Sequence, residues 1–282
     1  MPKVSVTIIA LNEAEHIGAA VESAAWADEI LLVDAGSTDS TRDIASAKGA
    51  KVFRLDGSLH VESRNFAAER ASNDWIFSLD ADERITPALA AEIRALVENE
   101  PPMRGYRGPR VTYHLGRWIR TTDFYPDYQT RLYDRRAARW DGKYVHESVR
   151  VDGPVGRLQG EIEHYSFQDL RDQLERINHY STLSALQMRD AGRRAGVLDL
   201  FVHPPAAFLR NYVLRRGFRD GAAGFTISVM NTYYVFLKFA KLWQLRQVGD
   251  ARPTAESSAH GDGRLERSVD QPAEQHARDS RT

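Results

Sequence analysis

Along the first hundred residues, apolar positions come in short β-branched runs separated by polar, helix-forming stretches. VSVTIIA (4–10) is a continuous apolar run of strand length, the pattern of a strand buried on both faces. EAEHIGAAVESAA (13–25) has helical composition. EILLVDAG (29–36) reads as the next strand. STDSTRDIASAKG (37–49) reads as a helix opened by capping residues and closed by glycine. AKVFRL (50–55) and WIFSL (75–79) continue the strands. SRNFAAERA (63–71) and TPALAAEIRALVENE (86–100) continue the helices, the latter with proline in its first turn. This alternation predicts an α/β fold, a mostly parallel sheet flanked by helices.

The rhythm changes near residue 105. YRGPRVTYHL, YQTRLYD and GRLQGEIEHYSF are strand-like pieces among aromatic and arginine-rich loops, which fits antiparallel strands. Residues 167–195 read as an amphipathic helix, and 203–248 form a basic, aromatic segment. Residues 249–282 contain no aromatic residue and only Leu265 and Val269 as large aliphatics. That is too little apolar surface to offset chain ordering, so this tail is expected to be disordered. The pattern divides the chain into an α/β domain (1–166), a helical region (167–248) and the tail (249–282).

Composition narrows the function classes. The 282 residues carry a net charge of −1, which speaks against nucleic acid as a partner. There is no cysteine, which excludes disulfides, thiolate zinc sites and cysteine nucleophiles. MPKVSVTIIALNEAEHIG has the form of a strand rather than a signal peptide, so a cytoplasmic catalytic part is expected.

Candidate chemistry sits at the strand ends. In an open parallel sheet, ligands bind beyond the carboxyl ends of the strands. Those ends carry ALNEAE, VDAGSTDST and LDADE. Ser37, Thr38 and Asp39 read as helix caps. Asp34 and Asp80 each end an apolar run, where an unpartnered charge is costly. Asp80-Ala81-Asp82 places two carboxylates on one side of an extended backbone, a pair able to chelate Mg²⁺ or Mn²⁺ through oxygen. Such a metal would bridge the phosphates of a nucleoside diphosphate.

The chain resembles the inverting glycosyltransferases of family 2, which have the GT-A, Rossmann-like fold. The resemblance is carried by VTIIALNEAEHI, ILLVDAGSTDSTRDIA, SRNFAAERASNDWIFSLDADE, YQTRLYDRR and YVHESV, in the family's order, and spans about residues 3–246. It is strongest towards the lipopolysaccharide-core glycosyltransferases. It implies that Ala10, Leu11, Asn12, Glu13 and Asp34 line the nucleotide-base pocket. Where the family often has Asp-Asp-Gly-Ser, this chain has Ala35 as the second residue, which leaves the base contact to Asp34. Arg64 would approach the diphosphate or donor sugar. Asp80 and Ala81 would meet the ribose or metal, and Asp82, with Asp80, the metal. The Glu-Asp pair that supplies the base in many members is absent. The matching place holds Glu147, with His146 as neighbour or alternate. Asp123 and Asp127 read as an acceptor loop, with Gln129 and Arg131 holding phosphate or sugar. His164 reads as a structural histidine, although some GT-A enzymes take a metal ligand from such a position. The implied donor is a nucleotide sugar, with UDP-glucose expected. The implied acceptor is a glycolipid or saccharide such as a core heptose.

Between 203 and 248 there are seven Lys/Arg and one Asp, and the uncharged run Gly221–Leu237 has 17 residues. That is short for a bilayer span and interrupted by polar residues. Phe225, Val229, Phe236, Ala240 and Trp243 recur at helical spacing. The segment is expected to dock peripherally on the inner face of the cytoplasmic membrane, or else to pack on the catalytic domain or form a dimer interface. Two alternatives to a sugar transferase remain. A nucleotidyltransferase would be expected to carry a Gly- and Lys-rich phosphate signature near the N-terminus, which is absent. A non-catalytic nucleotide-sugar-binding module would have no need of a base.

Overall fold

The structure is a computed structural model that describes residues 3–57, 61–142, 147–167 and 169–247. The expected tail (249–282) and His146 lie outside the described residues. Packing divides the chain into residues 1–243 and residues 244–282. Of the second unit only 244–247 are described, as the last turn of a helix.

The first half alternates as the pattern predicts: β1 (Val4–Ala10), α1 (Ile17–Ser23), β2 (Glu29–Asp34), α2 (Thr41–Ala47), β3 (Lys51–Arg54), α3 (Val61–Arg70) and β4 (Trp75–Asp80). A short β5 (Glu83–Ile85) follows, then α4 (Pro87–Glu98). Thr86 caps α4 by accepting from the Leu89 N–H, with Pro87 at the first helical position. Both α1 and α2 begin about four residues later than their composition suggests. The intervening polar residues form loops that bond to each other, as described below.

β1, β2, β3 and β4 are parallel, in the order β3-β2-β1-β4. Every residue of β1 is buried. Ile8, Leu32, Phe77 and Leu79 join Ile17, Leu89 and Ile93 from the helices in one apolar cluster. Burying side chains of that size contributes about 1.5–3 kcal/mol each before chain ordering is counted.

The second half is mixed, as its strand-like pieces imply. It comprises β6 (Gly105–His114), β7 (Arg117–Ile119), β8 (Asp127–Asp134), β9 (Ala138–Asp141), β10 (Ser148–Val151), β11 (Val155–Arg157) and β12 (Ile162–His164). β8 inserts antiparallel between β4 and β6, and β12 runs parallel to β6 and antiparallel to β5. β9 and β10 make a separate two-stranded ribbon.

Three helices close the fold: α5 (Leu170–Asp190), α6 (Val197–Leu209) and α7 (Gly221–Gln247). The break read at His203 falls inside α6, which runs through Pro204 and Pro205. A turn of π-helix (210–214) and a 3₁₀ turn (217–220) lead into α7. Gly217 and Gly224 let these segments touch, since a Cβ on Gly224 would lie 1.9 Å from the Gly217 carbonyl. Asp220 fastens the start of α7 to the sheet. It pairs with Arg117 at 3.0 Å and accepts from Thr121 Oγ1 at 2.6 Å and from the Arg120 N–H at 3.2 Å. Ala223 and Ile227 then pack on Ile119 and Phe124.

Candidate active site

Strand register assembles the crevice. Ala10 lies opposite Asp34, and Ile9 opposite Asp80, so the carboxyl ends of β2, β1 and β4 are level. The chain reverses direction across the sheet between β1 and β4, where open α/β sheets bind ligands.

The loops after β1 and β2 are stitched together. The Asn12 N–H donates to Ser37 Oγ at 2.9 Å, and Asn12 Oδ1 accepts from the Thr38 N–H at 2.9 Å. The Glu13 N–H donates to Thr41 Oγ1 at 2.8 Å, and the Ala14 N–H to Asp39 Oδ2 at 3.1 Å. Ser37 and Thr38 therefore serve the facing loop, while Asp39 does both, its Oδ1 accepting from the Thr41 N–H at the start of α2 at 3.0 Å. The N-cap of α2 is Ser40, which makes no side-chain cap bond. Asn12 adopts a left-handed backbone, φ 55°, a conformation asparagine tolerates better than most residues. Asp34 is fully buried. Its Oδ2 accepts from the Gly36 and Ser37 N–H groups at 3.2 and 3.0 Å, while its Oδ1 is buried without a partner.

The acidic stretch at the end of β4 is split three ways. Ala81 and Asp82 form a turn, so the extended alternation that would put Asp80 and Asp82 on one side does not govern them. Asp80 takes Arg64 Nη2 on one oxygen and Arg131 Nη2 on the other, each at 2.7 Å. Burial alone would raise its pKa, but Arg131 and Arg64 outweigh burial and hold it well below the usual carboxylate range. Glu83 Oε1 accepts from Arg131 at 2.6 Å and from Arg110 at 3.0 Å, and Arg110 also pairs with Asp127 at 2.6 Å. The positive partners that these carboxylates require are three arginines of the same chain. Arg131, only 3% exposed, gives its Nη2 to both Asp80 and Glu83, while its Nε and Nη1 are buried without a partner. Arg64 lies between Asp80 and the face of Trp140, 4.2 Å from the ring centre.

Asp82 turns to a different partner. β12 sets His164 opposite Glu83, and the Tyr165 N–H donates to the Asp82 carbonyl at 2.9 Å. His164 Nε2 then lies 3.3 Å from Asp82 Oδ2, and its Nδ1 is buried without a partner. The ring is thus not the fully satisfied structural histidine of the sequence reading. Burial opposes ionisation of Asp82, but the bond to His164 keeps its pKa below the ordinary value. Glu13 shares this end of the crevice. Burial first, and Asp82 second, raise its pKa to about 7.

Asp82 and His164 supply one oxygen and one nitrogen donor, a set suited to a divalent ion whose remaining ligands come from phosphate oxygens. Asp80 does not fit that role while two arginines hold it. Among the described residues no group of three or more His, Asp or Glu side chains could hold a metal.

Glu147 is half-buried at the entrance of β10, next to the Ser148–Asp141 pair that closes the ribbon. The ribbon is fixed to the crevice wall. Asn65 accepts from the Trp140 N–H and donates to the Trp140 carbonyl, both at 3.0 Å, one residue after Arg64. The two aspartates of the expected acceptor loop are paired. Asp123 meets Arg210 at 2.6 Å and Arg215 at 3.2 Å, while Asp127 holds Arg110.

Sequence reasoning overlooked Arg110 and Trp140. An arginine inside the otherwise strand-like YRGPRVTYHL was the available signal for Arg110. Nothing local marks Trp140 as the platform for Arg64.

An α/β crevice with paired polar loops and an acidic strand end suits a transferase site. The chain matches the family described as Glycosyl transferase family 2 over residues 5–153. It is 31% identical to the lipopolysaccharide core biosynthesis glycosyltransferase LpsC of Rhizobium meliloti (strain 1021), over 90% of this chain and 96% of the relative. It is 29% identical to the uncharacterized glycosyltransferase RP128 of Rickettsia prowazekii (strain Madrid E), over 87% and 88% of the two chains. Among solved structures, S. aureus TarS 1–349 aligns at 15% identity over 89% of this chain and 93% of that one, with a TM-score of 0.46. Glucosyl-3-phosphoglycerate synthase from Mycobacterium tuberculosis, in complex with Mn²⁺, UDP and phosphoglyceric acid, aligns at 22% identity over 39% and 43%, with a TM-score of 0.35. The chain belongs to glycosyltransferase family 2. It is a glycosyltransferase with the GT-A-type α/β fold, and the nucleotidyltransferase and non-catalytic readings fall away.

Proposed function

We propose that the protein is an inverting hexosyltransferase. It would move a sugar, glucose in the first instance, from a UDP donor to a hydroxyl of a glycolipid or lipopolysaccharide-core acceptor. The observation that carries the donor reading is Asp34 Oδ1, a buried acceptor without a partner at the level of Ala10 and Asp80. A base N–H would satisfy it, with Leu11, Asn12 and Glu13 forming the facing wall. Asp80, balanced by Arg64, would meet the ribose or sugar beside Ala81.

Glu147 is the proposed base, with His146 as its neighbour. It takes the proton of the acceptor hydroxyl as that oxygen bonds to the anomeric carbon. The bond from that carbon to the diphosphate oxygen breaks, and its electron pair leaves with UDP. A bound Mg²⁺ or Mn²⁺, held by Asp82 and His164, would supply positive charge to the leaving diphosphate. The acceptor class rests on the relative named for lipopolysaccharide core biosynthesis.

The proposed workplace is the inner membrane surface, with peripheral attachment. No helix among the described residues is long and apolar enough to cross a membrane. Instead Leu198, Phe201 and Val202 of α6 are 78%, 71% and 59% exposed, and Leu214 is 73% exposed. Arg216 and Arg219 follow in sequence, while Arg210 and Arg215 are already paired with Asp123. Exposed apolar side chains followed in sequence by cations unpaired among the described residues suit an anionic bilayer, a cation near the surface being worth about 1 kcal/mol.

The test is a panel of nucleotide sugars scored for nucleotide diphosphate release with a lipopolysaccharide-core acceptor, in Mn²⁺ and in EDTA. UDP release that requires acceptor and stops in EDTA is expected. Undiminished turnover in EDTA would remove the metal, and preference for a non-uridine donor would remove UDP.

A further inference from the structure

A second cavity of about 580 Å³ lies beside the crevice, between α5 and α7. Two of its lining residues, Arg110 and His164, belong to the catalytic surroundings. Of its described lining residues, Arg110 and Phe124 fall within the 5–153 span matched by the family model, and the others come from β12, the stretch after it, α5 and α7.

The walls are aromatic and held in place. Phe124 stacks on Phe167 with ring centres 5.8 Å apart, and Tyr234 Oη bonds Ser184 Oγ at 2.7 Å. Gln173 is buried against His114 at 3.0 Å. Tyr180, 45% exposed, stands at the mouth. Among its described lining residues are Arg110, Arg176 and His164 and no carboxylate. Arg176 is oriented by Asp172 at 2.9 Å and by the face of Phe167.

Aromatic faces stack on the C–H faces of sugar rings, and arginine forks recognise carboxylate and phosphate. A wholly apolar guest would leave Arg176, Gln173 and the tyrosine hydroxyls facing hydrocarbon, at a cost. We propose that this cavity is the acceptor pocket and that it takes an anionic sugar, one bearing a carboxylate or a phosphate, with its acid group towards Arg176. The assignment rests on the glycosyltransferase reading above. It places acceptor specificity in α5 and α7, apart from the donor loops.

The test uses the full chain with glucuronate, glucose 6-phosphate and glucose as probes, read by saturation-transfer NMR. UDP affinity is measured in parallel by calorimetry. Met230→Trp fills the cavity without removing a charge, and Arg176→Gln removes the cation. At least one anionic probe is expected to give a signal well above that of glucose, and the two anions separate a sugar-acid from a sugar-phosphate preference. Arg176→Gln should weaken the favoured anion by about tenfold or more, the worth of a hydrogen bond to a charged group, and Met230→Trp should weaken it by excluding the ring. UDP affinity should stay at the wild-type value, which also reports that each variant is folded. Equal signals from glucose and the anions would overturn the proposal. So would anion signals that survive Met230→Trp, or an octyl glucoside saturated on its alkyl chain and not its ring. Failure of wild type to bind UDP would count against the donor reading and leave the sugar result to decide this one.

Discussion

Asp80 and Asp82, two positions apart, show how spacing can mislead about roles. The sequence marks both as acid groups at the end of a buried strand, and that much was legible. Their separate partners depend on Arg64, Arg131 and His164, which arrive from α3, β8 and β12 and leave no local trace. Asp80 lies in a buried charge network, so Asp80→Asn should lower stability by about 3–5 kcal/mol in urea unfolding, the cost of stranding a buried partner. Asp82→Ala, which removes one bond to His164 and no arginine pair, should cost less than that and abolish transfer. With two protein donors, Mn²⁺ should bind wild type weakly alone and tightly with UDP present, and Asp82→Ala should remove the nucleotide-dependent part. Titration by electron paramagnetic resonance reads this directly, and tight binding without UDP would contradict it. Glu147→Gln should reduce kcat by roughly 10²–10⁴ while UDP affinity holds. Normal transfer in that variant would move the base elsewhere.

At the level of elements, the parallel half was readable because its strands are continuous apolar runs. The helix starts were not. Asn12, Glu13, Ser37, Thr38 and Asp39 have the composition of helix openings, but they bond across two loops, a tertiary choice that propensity does not encode. β5 was invisible because three residues hold too little pattern. Glu29 gives this layer its pH dependence. It accepts from Lys51 Nζ at 2.6 Å, Ser5 Oγ at 2.6 Å, and the Ser72 N–H and Oγ at 2.7 Å. Burial opposes its charge, but those bonds lower its pKa from 4.5 to about 2. A carboxylate depressed in the folded state stabilises above its unfolded pKa, and that contribution is lost as pH falls from about 4.5 through 2. Glu29→Gln should therefore cost stability at pH 7 and flatten the acid side of the unfolding profile. An acid limb as steep as wild type would assign that dependence to other groups.

For the whole molecule, the basic and aromatic character of the C-terminal region was plain in the sequence, while its arrangement was not. Asp220 and the Gly217–Gly224 contact seat α7 on the sheet, so packing on the catalytic domain and an exposed apolar face occur together. The most exposed apolar residues lie on α6, ahead of the stretch that the pattern singled out, because Pro204 and Pro205 disguise a helix. If this face meets a bilayer, the protein should float with vesicles in proportion to their anionic lipid content, and high salt should weaken the association. Leu198→Ser with Phe201→Ser should abolish flotation without changing UDP affinity. Flotation equal to wild type would refute docking through α6. The proposed reaction is a single displacement at the strand-end crevice. It is tested most directly by the anomeric configuration of the first-formed product, followed by proton NMR with an α-linked UDP-sugar and the acceptor. Single displacement gives a β-linked product, and an α-linked product would contradict it.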